Sequence, residues 1–261
     1  MKTSKSAYLD AALYLVVFLL AQFVVSLIMG FISQTASTSP TTMCVASLIA
    51  SLLTIAVFAW RKWACLNGKY INTRPWFTLF WVACLSVGSI IPLELIMEQT
   101  GIEMPKDFTE MFRKMMSNEW GFMAIGVIGP VAEEIVFRGA ILRRLLDAGG
   151  HRWRWAAIAG SAALFGVVHF NMVQGVNAFF VGLLLGWMYM RTRSIVPGVA
   201  FHIVNNCTAV VFSRLFPGAD DMKLIDFYGG DMKRVAIAVA CSLMIFLAAL
   251  YQLRWRLERA D

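Results

Sequence analysis

From residue 11 to residue 32 the chain runs without a single charged side chain. Each helical residue advances 1.5 Å, so a run of this length crosses a hydrocarbon layer about 30 Å thick. Within lipid, only a helix or a closed barrel satisfies its own backbone polar groups. Lys2 and Lys5 precede the run as they would in a secretory signal, but a signal's apolar segment is only about 7–15 residues long, so the run reads as an uncleaved first membrane helix. Seven further stretches read as membrane helices, at about 42–60, 75–97, 121–146, 155–170, 176–190, 195–215 and 235–255. The fold class expected is all-α: a single membrane-embedded domain over 1–261, a polytopic bundle of about eight transmembrane helices, with no internal repeat.

Composition supports this reading. The chain is 59% hydrophobic and only 15% charged, against roughly 25% charged for a soluble domain. A net charge of +7 could suggest nucleic acid, but the basic residues cluster in short links between apolar runs, where the positive-inside rule accounts for them and no nucleic-acid partner is expected. Counted over alternate links, 15 of the 23 Lys and Arg fall on one side, 7 on the other, and Arg138 inside a span. Both termini are therefore expected in the cytoplasm, and the short loops point to a bacterial inner membrane. The opposite side holds acids including Asp220, Asp221, Asp226 and Asp231. Cys44, Cys65, Cys84, Cys207 and Cys241 show no C-x-x-C spacing and read as small packing residues, not a disulfide frame. Between the third and fourth helices, Phe108, Met111, Phe112, Met115 and Met116 recur at helical spacing, which predicts a short interfacial helix, a docked connector rather than a lid.

One segment breaks the apolar pattern. In the fourth helix, Gly129-Pro130-Val131-Ala132-Glu133-Glu134-Ile135-Val136-Phe137-Arg138-Gly139 carries two carboxylates and an arginine. A charge at bilayer depth costs about 2.5–3.5 kcal/mol on insertion scales, so such residues face a protein interior or a wet cavity and suggest function. Glu134 and Arg138, four apart, share a helix face and can form a structural ion pair. Glu133 points elsewhere and is free to act. Pro130, one turn earlier, could kink the helix and admit water.

Two of the three histidines also fall in predicted spans: His169 closes Phe165-Gly166-Val167-Val168-His169, and His202 opens His202-Ile203-Val204-Asn205-Asn206. His202 and Asn206 share a face. Counted from the flanking cytoplasmic arginines, Glu133, His169, His202 and Asn206 sit roughly 14–22 Å deep and could meet in one cavity. That set suits hydrolysis. A buried carboxylate takes a proton from water, His169 helps hold the water, and His202 and Asn206 donate to the developing oxyanion. Glu133, His169 and His202 could instead hold one divalent metal such as zinc, as an open three-ligand site assembled from three helices in the absence of H-E-x-x-H. The residues alone leave both chemistries open.

E-E-x-x-x-R, F-x-x-x-H and H-x-x-x-N, in that order and each in its own span, resemble the CPBP (CAAX protease and bacteriocin-processing, or Abi) family of intramembrane endopeptidases, related to the type II CAAX prenyl endopeptidases. The likeness extends over about 130–206 and includes Phe137-Arg138-Gly139 and Ser194-Ile195-Val196-Pro197. It implies a membrane protease whose water-activating glutamate matches Glu133, aided by His169, with His202 and Asn206 lining an oxyanion site. It also implies a peptide or protein substrate in or at the membrane. The family is described both as metal-dependent and as using glutamate alone. The competing expectation is a non-enzymatic membrane immunity or scaffold protein, which would need Glu134 and Arg138 but not Glu133. A transporter would show repeats and paired broken helices, and neither is evident.

Overall fold

A computed structural model describes residues 4–33, 39–66, 68–219 and 222–259. Lys2, Asp220 and Asp221, which entered the charge reading, and residues 34–38 of the first polar link lie outside the described residues. The described residues form eleven helices and no strand. In chain order these are α1 (Ser4–Ser33), α2 (Pro40–Trp60), α3 (Lys69–Asn72), α4 (Trp76–Thr100), α5 (Lys106–Ser117), α6 (Phe122–Gly149), α7 (Arg154–Val167), α8 (Met172–Thr192), α9 (Val196–Leu215), α10 (Leu224–Phe227) and α11 (Met232–Arg256).

The all-α polytopic membrane fold is the one expected, and each of the eight predicted helices is present. The number of spans differs. Six helices (α1, α2, α4, α8, α9 and α11) are long and apolar enough to cross a membrane, and the α5–α6 pair, bent by 91°, raises the count to seven. The exception is α7, whose 14 residues extend about 21 Å, short of a hydrocarbon layer about 30 Å thick. It stops at Val167 because the chain turns straight back into α8. Gly166 and Gly175 lie so close that a Cβ on Gly166 would meet the Gly175 carbonyl oxygen at 2.5 Å. Phe170 takes a left-handed φ of 50°, and Asn171 caps α8 by accepting the Gln174 N–H at 3.1 Å. His169 therefore lies in this turn, not within a helix reaching to residue 170.

α6 is the central element. Every residue from Ile135 to Leu142 is buried, so this stretch of the helix is enclosed all round. Phe137 packs edge-to-face on Phe18 of α1 at 5.7 Å and on Phe165 of α7 at 5.0 Å. The winding of α6 is uneven: π-helical over Phe122–Ile128 and Ile135–Leu142, with an α segment at Gly129–Glu134 between them. Pro130 occupies the first turn of that α segment, where its missing N–H is tolerated, and the Gly129 N–H reaches back five residues to the Ala124 carbonyl.

Small residues bring the outer helices close. Gly88 of α4 faces α11 so tightly that a Cβ would lie 2.7 Å from the Phe246 backbone nitrogen, and the Ser242 hydroxyl donates to the Gly88 carbonyl at 3.2 Å. The Ser86 hydroxyl donates to the Phe201 carbonyl of α9 at 3.1 Å. In lipid, such close contacts and interhelical hydrogen bonds replace the hydrophobic drive that water would supply. At the end of α6 near Gly149, arginines read as topology signals have specific partners. Arg144 pairs with Asp10 of α1, Arg193 with Asp147 at 2.8 Å, and Arg143 donates to the Trp63 carbonyl at 2.7 Å.

At the other end, α5 is docked. Its Met116 is buried, Arg214 of α9 donates to the Met116 and Asn118 carbonyls at 2.9 and 2.8 Å, and Asn118 donates to Thr41 of α2 at 2.8 Å. That is the connector expected from its apolar stripe.

Two glycines on α7 test the hairpin packing. Gly166→Leu forces α7 and α8 apart and should cost about 1–3 kcal/mol of stability, as overpacking generally does. Gly160→Leu enters open space and should be tolerated. Thermal unfolding of the two purified variants should separate them clearly; equal midpoints would refute the close approach.

Candidate active site

The polar residues of α6 meet α7, α8 and α9 at one level. Arg138 and Glu134 are almost fully enclosed, and Arg138 Nη1 donates to Glu134 Oε1 at 2.7 Å. The second guanidinium nitrogen, Nη2, lies 3.5 Å from the Gly182 carbonyl of α8, and the guanidinium carbon stands 4.5 Å from the centre of the Phe165 ring of α7. A buried charge needs a paired, hydrogen-bonded shell, and this one is drawn from three helices. Glu134 Oε2 has no hydrogen-bond partner among the described residues. It rests against Gly198 of α9, where a Cβ would stand 2.6 Å away.

His202 of α9 joins the two glutamates. Its Nδ1 is 3.2 Å from Glu134 Oε1, and its Nε2 is 3.6 Å from Glu133 Oε2. Exposure is graded across this trio: the Glu134 side chain is 0% exposed, His202 6% and Glu133 26%. Glu133 is therefore the accessible member of the trio, and the groups behind it are enclosed. A neutral imidazole has one N–H and one lone pair. If Nδ1–H is donated to Glu134, the lone pair on Nε2 points toward Glu133, so Glu134 sets the tautomer that Glu133 faces.

His169 is half-buried in the α7–α8 turn. Its Nδ1 is 2.8 Å from the Phe165 carbonyl, which can only accept, so Nδ1 carries the hydrogen and Nε2 is left with its lone pair free. Its ring meets Phe165 edge-to-face at 5.1 Å, and His202 meets the same ring at 5.7 Å. Asn206 donates from Nδ2 to the Ile125 carbonyl of α6 at 3.0 Å and accepts from Asn205 at 3.4 Å. One N–H of its amide remains uncommitted.

Of the residues singled out in the sequence, Glu133, Glu134, Arg138 and His202 form one contiguous cluster. His169 joins it through Phe165, and Asn206 is tied to α6 one α-helical turn beyond His202. A three-ligand metal set is not brought together: among the described residues no three His, Cys, Asp or Glu side chains stand close enough to share an ion. His202 Nε2 stands 3.6 Å from Glu133 Oε2, but His169 meets the cluster only through the Phe165 ring. Sequence reasoning missed Gly182 and Gly198, which make room for the buried pair, and the part of Phe165 as the ring shared by Arg138 and both imidazoles. The F-x-x-x-H spacing marked Phe165 without indicating that role.

Residues 116–208 match the sequence model of the family described as Type II CAAX prenyl endopeptidase Rce1-like. The likeness to the CPBP family holds. The matched segment runs from the end of α5 into α9 and contains all three motifs, so it coincides with the helices that form the cluster. The family so described is one of intramembrane CAAX-type proteases, and the match spans 93 of the 261 residues. No curated protein and no solved structure matches the chain.

The buried pair yields a stability test. Removing one partner of a buried ion pair typically costs about 3–5 kcal/mol, because the other charge is left uncompensated. Glu134→Gln and Arg138→Met should each sharply reduce the yield of monodisperse protein, and the double variant should recover part of it. Size-exclusion profiles of the three measure this. An unimpaired Arg138→Met would show that the pair is not a structural requirement.

Proposed function

We propose that the protein is an intramembrane endopeptidase that hydrolyses a peptide bond of a membrane-associated or lipidated protein or peptide. One observation carries this reading: a partly exposed carboxylate, Glu133, faces an imidazole whose other nitrogen is held by a fully buried carboxylate, Glu134. The family match over the same helices supports it.

In the proposed reaction, a water lies between Glu133 and the free Nε2 of His169. Glu133 takes one proton, and the oxygen attacks the scissile carbonyl carbon. As the C–O bond forms, the carbonyl π electrons move onto its oxygen, where the spare N–H of Asn206 donates. A donor placed in this way is worth about 3–4 kcal/mol in other hydrolases. The proton passes from Glu133, with His202 Nε2 as its relay, to the leaving nitrogen. The oxyanion's electrons then re-form the carbonyl and the C–N bond breaks, giving an amine and a carboxylic acid whose proton passes to the freed Glu133 carboxylate and on to solvent. While His202 Nε2 carries the proton it also donates toward the oxyanion, and Glu134 and Arg138 keep that imidazole in place. None of these steps uses a metal. We further propose that both termini lie in a bacterial cytoplasm, with the site in the cytoplasmic half of the inner membrane.

The test compares membrane-peptide proteomes of cells carrying the wild type or Glu133→Gln. General-base catalysis contributes about 10²–10⁴-fold, so Glu133→Gln should fold normally and lose cleavage by at least that factor, with a smaller loss for His169→Ala. Activity should survive dialysis against a chelator. Full cleavage in Glu133→Gln would overturn the catalytic assignment of Glu133, and a full phenotype with no change in any membrane peptide would leave the protein as a non-enzymatic membrane scaffold. Loss on chelation that zinc restores would overturn the metal-free route.

A further inference from the structure

Away from the glutamate cluster, a groove of about 660 Å³ opens between the α7–α8 hairpin and α11. Three guanidinium side chains line one end: Arg154 begins α7, Arg191 stands in the last turn of α8 and Arg254 in the last turn of α11. None of the three forms an ion pair with a carboxylate among the described residues. Arg191 donates to the Leu257 and Arg254 carbonyls at 3.2 and 3.0 Å, Arg154 lies 2.7 Å from His151, and the Arg254 guanidinium stands 5.4 Å from the Trp255 ring.

Moving from the helix ends toward their middles, the lining changes to Trp155, Trp187 and Tyr251, and then to Leu250 and Leu247. Cations outermost, aromatic rings next and aliphatic side chains innermost is the layering of a phospholipid itself: phosphate, glycerol backbone, acyl chain. A second copy of this chain would have to present a matching acidic patch at the same helix ends. The flanking segments are themselves rich in arginine, with Arg152 two residues before Arg154 and Arg256 two residues after Arg254 in the chain.

We propose that this groove is a binding site for an anionic phospholipid of the surrounding bilayer, with the phosphate held by Arg154, Arg191 and Arg254 and one acyl chain lying along Trp187 and Leu247. The site is separate from the glutamate cluster and independent of any catalysis there.

The experiment is native mass spectrometry of the full-length protein released from nanodiscs of phosphatidylcholine containing phosphatidylglycerol. The wild type is compared with an Arg154→Gln/Arg254→Gln double variant. Neither side chain donates to a backbone carbonyl among the described residues, and size exclusion and circular dichroism check that the fold is kept. Lys233→Gln/Arg234→Gln, at the opposite end of α11, is the control. The expected result is retained phosphatidylglycerol on the wild type and the control, at least fivefold less on the double variant, and no comparable retention of phosphatidylcholine. Equal phosphatidylglycerol retention by wild type and double variant, equal retention of both lipids, or a dimer that the double variant abolishes would each overturn the proposal.

Discussion

The Glu134–Arg138 pair is the constraint on which the other contacts depend. Both side chains are almost fully enclosed, so neither can be relieved by solvent, and each must find its partners within the bundle. One pair at helical spacing satisfies part of that need. The remainder comes from Gly182 on α8, Phe165 on α7 and His202 on α9. Four helices are thus gathered around one charge pair, and the gathering places His202 against Glu133. Stability and proposed chemistry share the same atoms: the interaction that removes the cost of the buried arginine also orients the imidazole.

The backbone accommodates this centre by departing from regular geometry in two places. α6 widens to π winding on both sides of Gly129–Glu134, which lets a proline-containing segment bearing two adjacent carboxylates sit inside an otherwise enclosed helix. α7 is cut short by the Gly166–Gly175 approach, so that a turn, not a helix, presents His169. Turn residues are positioned by their own backbone hydrogen bonds. The His169 backbone N–H donates to the Gly166 carbonyl at 3.2 Å, and its ring is held by Nδ1 donating to the Phe165 carbonyl one turn earlier. The periphery serves a different purpose: Arg144 with Asp10 and Arg193 with Asp147 lock one end of α6, while α5 is fastened across α2 and α9 at the other.

Much of this was legible in the chain. Long uncharged runs can only be membrane helices, so the all-α polytopic class and the positions of eight helices followed from length and hydropathy. The i, i+4 spacing predicted that Glu134 would meet Arg138, and the order of three short motifs pointed to the family later matched over 116–208. The length of α7 was not legible, because a run of apolar residues continues through Val167, Val168 and Phe170 whether the backbone is helix or turn. Nor was the bridging position of His202: spacing within one helix says nothing about which nitrogen of a residue on another helix will face which oxygen.

What the sequence determined by itself was local and periodic: which segments are helical and apolar, which side chains share a face, and which charges must be hidden. Tertiary structure decided what those charges meet. Contacts between Glu133, Glu134 and His202 join positions 68 or more residues apart in the chain, and only packing sets their distances. Such distances depend on how close two backbones come, which at Gly166, Gly182 and Gly198 is a matter of a missing Cβ and the neighbour it faces.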